Sequence, residues 1–177
     1  MLGRVFPQSQ WDTNGMASLP VLAASAAIGV IAGLRCMMAP AIVSRASGAG
    51  RLPLPPGPLH WLGSTASTNT FTALAAGELI TDKTPQMPSR TAPRPLTARM
   101  ISGGLCGAAI CSSKGERALT GAVVGSLFAV GGAFLGYHLR RRAVRDGGFP
   151  DVAIALTEDA IAITGGLVTV AAVNISR

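Results

Sequence analysis

The stretch ALTGAVVGSLFAVGGAFLGYHLRRR, residues 118–142, decides the fold class. From Ala118 to Leu139 it holds no Asp, Glu, Lys or Arg, and it then meets three consecutive arginines. About 20 apolar residues suffice for a helix to cross roughly 30 Å of hydrocarbon, so 118–139 reads as a membrane span. Gly121 and Gly125, then Gly132 and Gly136, recur at four-residue spacing and make a smooth face on which another helix backbone can lie close.

The rest of the composition agrees. Only 13% of the 177 residues are charged, against about 25% in soluble domains. Aromatics are 5% and glycines number 22, so the apolar mass is small aliphatic side chains. The formal charge of +7 lies in segments between apolar runs rather than along one face. That is the pattern of membrane topology and anionic headgroups, and it argues against nucleic acid as a partner. Cys36, Cys106 and Cys111 form no CxxC pair and lie in or beside apolar segments, as buried hydrophobes do. No GxSxG, HExxH, P-loop or dinucleotide fingerprint is present, so neither enzyme nor cofactor is expected.

Working outward, the chain divides into a polar tail, 1–16, expected to be disordered, and one transmembrane helical domain, 17–177. Five spans are expected, at about 17–35, 59–82, 96–113, 118–139 and 150–173. The piece CMMAPAIVSRASGAGR, 36–51, is interrupted by Pro40 and too short to cross, and reads as an interfacial or re-entrant helix. LPLPPGP, 52–58, is a stiff connector. The second span is the most polar, and its Ser, Thr and Asn side chains suit a setting surrounded by protein. With five spans, nine of the 15 Lys and Arg residues, Arg4 and those from Lys83 to Arg99 and Arg140 to Arg145, share the N-terminal side. Arg35 falls on the other side. The bias predicts the N-terminus inside and the C-terminus outside.

Spans one and four each end in glycine followed by arginine, and each is followed by a span bearing acids. As spans running in opposite directions, they admit an inverted repeat of the kind found in transporters.

The acids carry the functional question. Glu78 and Asp82 are one helical turn apart and share a face. Glu158 lies roughly 12 Å of helical rise into the last span, with Asp159 beside it. A carboxylate in hydrocarbon costs on the order of 2.5–3.5 kcal/mol even on insertion scales, so it persists when paired, hydrated or functional. The structural alternative is that these acids pair with Arg35, Arg99 or Arg140 and lock the bundle. Arg35 either snorkels to headgroups or binds an anionic group. Arg140 is a counter-ion or an anion ligand. Arg90, Arg94, Arg141 and Arg142 read as basic residues facing lipid or a partner. The carboxylate oxygens suit a proton or a hard cation, and which metal, if any, stays open.

Three blocks carry a resemblance: GLRCMMAPAIVS (33–44), GELITDKTPQMPSRTAPRPLTARMISGGLCGAA (77–109) and GAFLGYHLRRRAVRDGGFPDVAIALTEDAIAI (132–163). With them the chain resembles an uncharacterised bacterial and plastid-type membrane family catalogued as domain of unknown function 4126. The resemblance implies an integral membrane protein and no particular activity. Cys36-Met37 departs from it where a small hydroxyl residue is expected.

The sequence therefore predicts an all-α polytopic bundle in a cell membrane, the bacterial inner membrane first, and a homo-oligomer among lipids. It would act as a small transporter or permease with Glu78, Asp82, Glu158 and Asp159 as an acidic site for protons or cations. The alternative is a scaffold or assembly factor binding partners or anionic lipids through its basic loops.

Overall fold

A computed structural model describes residues 17–81, 93–148 and 150–175. Among these residues the chain forms six α-helices and no strand: α1 (Leu19–Leu34), α2 (Met38–Gly48), α3 (Thr65–Thr81), α4 (Pro93–Ser113), α5 (Ala118–Arg145) and α6 (Asp151–Ile175). The expected tail, 1–16, lies outside the described residues.

Local chemistry sets the ends. A proline sits in the first turn of α1, and Pro93 and Pro95 open α4, positions where the missing N–H has no intrahelical partner. A 3-10 turn, His60–Gly63, leads into α3, whose start is capped by the Ser64 hydroxyl accepting from the Ser67 amide at 3.1 Å. Gly115, at φ 73°, makes the tight turn from α4 to α5 that a Cβ would strain.

Glycine then decides the packing. A Cβ on Gly107 would fall on the carbonyl of Gly121, and one on Gly121 would fall on that of Gly107, so α4 and α5 touch backbone to backbone. Gly29 and Gly33 of α1 meet Gly125 and Ala129 of α5 in the same way, and Gly132 meets Val30. The small-residue face read from the sequence is thus the seam joining α1, α4 and α5, with hydroxyls crossing it, such as Ser126 to the Met100 carbonyl at 2.9 Å. The three cysteines are free and buried, as expected.

α5 and α6 have the length and mean hydropathy (1.9 and 1.5) to cross a membrane. Only 28% and 33% of their apolar windows are buried within the chain, whereas a core helix of a soluble domain is mostly buried. Leu127, Leu135, Leu156 and Val168 are among the large side chains turned outward.

Helix directions differ from the sequence expectation in three ways. First, α2 does not return to the side it left. Its residues Met38–Ser44 are buried, and it runs back between α1 and α3 to pack Gly48 against Gly63. The connector beyond it, Pro55–Leu59, lies beside Ser112 and Leu119, at the far end of the bundle. Pro40 falls in the first turn of α2, where it interrupts nothing. Second, this return leg places Arg35 at the end of the bundle that holds Arg99 and Arg140, not opposite them. The start of α1 and the end of α6 then share the other end, where Glu116 accepts from the Ser18 amide and hydroxyl at 3.0 and 2.7 Å. Third, α1 and α5 run parallel, as the pairs Gly29–Gly125 and Gly33–Ala129 require. The two helices expected to be inversely related therefore point the same way. In addition, Asn69 and Thr70 of α3 are exposed on the single chain rather than enclosed by it.

Candidate ion-pair site at the helix break

The chain stops being helical at Leu34 and resumes at Met38. Arg35 is extended, at φ −136° and ψ 107°. Any such interruption leaves C-terminal carbonyls on one side and N-terminal amides on the other to be satisfied. Two other helices supply what is needed. From α4, buried Arg99 donates through Nη1 to the carbonyls of Gly33 and Leu34, the second at 3.1 Å. From α3, the Glu78 carboxylate accepts from the amides of Cys36 (2.7 Å) and Met37 (2.8 Å). A cation thus sits at the negative end of α1 and an anion at the positive end of α2, each favourable by about 0.3–1 kcal/mol when exposed and up to about 2 when partly buried. Ser102 closes the junction by donating to the Cys36 carbonyl at 2.5 Å.

The Arg35 side chain leaves the break and enters the bundle with no exposed surface. Its Nε is 2.7 Å from Oδ1 of Asp159, and its Nη2 is 4.0 Å from Oε2 of Glu158. α6 delivers both acids because Ala155, Glu158, Asp159, Ala162 and Gly166 form its buried stripe at helical spacing. Arg140, at the end of α5, turns inward to the same place: Nη1 is 3.6 Å from Oε2 of Glu158. It also forms a two-pronged pair with Asp151 at the start of α6, Nε to Oδ1 at 2.7 Å and Nη2 to Oδ2 at 2.6 Å. Glu158 is therefore shared between two guanidiniums, each of which holds a second carboxylate.

Of the residues singled out in the sequence, Arg35, Arg140, Glu158 and Asp159 come together. Glu78 joins them through the backbone of the residues next to Arg35. Asp82 and Arg90 lie outside the described residues. Arg94, Arg141 and Arg142 are exposed. The snorkelling reading of Arg35 is overturned, because its guanidinium is wholly buried and ion-paired rather than reaching toward headgroups. Two participants were not read from the sequence in these roles. One is Asp151, an acid directly after Pro150 at the start of an apolar stretch, which is a legible helix-start signal. In the sequence Arg99 reads as a candidate partner for a carboxylate; its bonds to the backbone carbonyls of α1 leave no mark in a sequence. Among the described residues no group of three or more His, Cys, Asp or Glu side chains is placed to hold a metal ion.

These features define a class: a small all-α bundle with two membrane-length apolar helices and a buried network of arginines and carboxylates around a broken helix. The chain belongs to the family described as Domain of unknown function (DUF4126), which matches residues 22–174 and so takes in the whole network. No curated protein and no solved structure matches it.

Proposed function

We propose that the chain is a multi-pass membrane protein acting as a small transporter or permease, with the network of Arg35, Arg140, Glu158 and Asp159 as its working site. Five longer helices cross the bilayer and α2 with its connector makes the short return pass; the reading requires no repeat. The basic end that holds Arg99 and Arg140 faces the cytoplasm, by the excess of arginine there, and the bacterial inner membrane is the membrane concerned. The outward small and polar face of α3, with Asn69 and Thr70, supports a homo-oligomer in which a second copy covers it.

The observation that carries the reading is Glu158, shared between two guanidiniums that each keep another acid. Protonating Glu158 leaves Arg35 with Asp159 and Arg140 with Asp151, so no buried cation loses its last carboxylate. Neutralising Asp159 instead would remove the 2.7 Å contact of Arg35 and leave its 4.0 Å contact to Glu158. Glu158 is thus the group proposed to exchange a guanidinium contact for a proton or another cation, altering how α5 and α6 meet the end of α1.

The test is proton flux. The chain is reconstituted in liposomes with a trapped pH-sensitive dye and given a pH gradient. Flux above that of empty liposomes is expected, falling about a hundredfold or more in Glu158→Gln, the scale on which a positioned proton-transfer group acts. Arg51→Gln, exposed at the opposite end, is expected to match the unaltered chain. Equal flux through Glu158→Gln, verified as inserted and folded, sinks the proposal.

A further inference from the structure

We infer that the last turns of α5 hold one anionic phospholipid, its phosphate on His138, Arg141, Arg142 and Arg145 and an acyl chain lying over Gly131. This rests on α5 being a membrane span, and it concerns a surface turned away from the ion-pair network.

The length of α5 places this surface. Its 28 residues rise about 42 Å at 1.5 Å each, some 12 Å more than the hydrocarbon layer of roughly 30 Å. With Ala118 near one boundary, the residues after about His138 stand among the headgroups. There His138, Arg141, Arg142 and Arg145 stand at i, i+3, i+4 and i+7, so all four lie on one face. Together with Asp146 they line a recess of about 270 Å³. Arg140 lies off this face, committed to Asp151 and Glu158. The run of three arginines is therefore split by helical geometry: one inward as a counter-ion, two outward toward the recess.

The same face continues toward the start of α5 as Leu135, Phe134, Gly131, Phe128 and Leu127, the four large ones exposed. Gly131 differs from the other glycines of the helix. A Cβ there would meet nothing within 4 Å, so close packing does not explain it. An exposed glycine costs a helix about 0.5–1 kcal/mol relative to alanine. What it leaves is a notch between two pairs of large apolar side chains, in line with the basic recess that lies about two to four turns above.

The arginine forks match phosphate oxygens, and the cytoplasmic leaflet supplies anionic lipids. Asp146, on the rim of the recess, offers an acceptor to a headgroup hydroxyl, which suits phosphatidylglycerol. A protein partner would explain the basic face and not the notch.

The experiment titrates lipid into the delipidated, detergent-purified chain and follows the thermal midpoint. Phosphatidylglycerol, phosphatidylcholine and inorganic phosphate are compared. Phosphatidylglycerol is expected to bind on the order of tenfold to a hundredfold tighter than phosphatidylcholine, the scale set by three arginines at an anionic surface. Inorganic phosphate is expected to be far weaker. The combined Arg141→Gln, Arg142→Gln and Arg145→Gln variant should lose the preference. The single Arg141→Gln variant should lose part of it and serves if the combined one misfolds. Gly131→Leu, which fills the notch without touching a charge, should weaken both lipids alike. Equal binding of the two lipids, retention of the preference in the arginine variants, or phosphate binding as tightly as the lipid overturns the inference. So does an unaltered affinity in Gly131→Leu. Proton flux is a separate readout, so failure of the lipid site and failure of the transport reading are told apart.

Discussion

Arg99 and Glu78 hold the two sides of one helix break with opposite charges. The guanidinium of Arg99 binds the last carbonyls of α1, and the carboxylate of Glu78 binds the first amides of α2. They come from α4 and α3, so the break is fixed by two helices that belong to neither side of it. Each charge faces the helix end of opposite polarity, and the residue between them is Arg35, whose own side chain ties the break to α6.

If Glu78 fixes the break, its loss should appear at the backbone first. Glu78→Ala leaves the Cys36 and Met37 amides without their carboxylate acceptor, at a cost of about 1–3 kcal/mol. Hydrogen exchange read residue by residue should show those two amides exchanging on the order of tenfold or more faster, with the α4–α5 seam unchanged. Unchanged exchange at both amides would mean that another group holds the break.

Arg35 and Asp159 form a close buried ion pair at 2.7 Å, and removing one member leaves the other's buried charge less compensated. Arg35→Gln or Asp159→Asn should each lower stability by about 3–5 kcal/mol, measured by denaturant unfolding in detergent. The double variant buries no unpaired charge of this pair and should lose less than the sum. Strict additivity of the two single effects would show that the pair is not coupled.

Arg140 and Asp151 make better hydrogen-bond geometry but a weaker contribution. The Asp151 side chain is 57% exposed, so water screens the pair, and such pairs are worth about 0–1 kcal/mol. Asp151→Asn should therefore shift stability by less than about 1 kcal/mol, while Arg140→Gln should cost more because Glu158 loses a guanidinium. Equal effects from the two variants would place the work of Arg140 at Asp151 rather than at Glu158.

The helices, their approximate ends and the glycine face of α5 were legible because they depend on local composition and spacing. α5 runs past the expected Leu139 to Arg145 because arginines are good helix formers and water solvates them beyond the bilayer. The side on which Arg35 sits was not legible. It depends on whether α2 turns back through the bundle, and α2 is only 11 residues long, about 16 Å of rise, too short to announce a crossing. Its burial is tertiary: α1, α3, α4 and α6 pack around it, and its Met, Ala, Pro, Ile and Val residues would read equally well as an interfacial piece. The meeting of Arg35 with Glu158 and Asp159 followed from that one reversal. Glu78 and Arg99 were visible as charges, but their partners are backbone groups, for which any residue would do.

Two glycines on α5 should respond in opposite ways to the same added methyl group. At Gly121 a Cβ would meet the Gly107 carbonyl and the Cys111 sulfur, and neither side can yield without parting α4 from α5. Overpacking of this kind costs about 1–3 kcal/mol or more. At Gly131 the methyl group meets nothing, and alanine should stabilise the helix by up to about 1 kcal/mol. Thermal midpoints of Gly121→Ala and Gly131→Ala in one detergent provide the comparison, with the first expected to fall and the second to hold or rise. The two changes share helix, chemistry and size, so a difference reports only the distance to the neighbouring backbone. Equal midpoints would contradict the backbone contact between α4 and α5 on which the α1–α4–α5 seam is built.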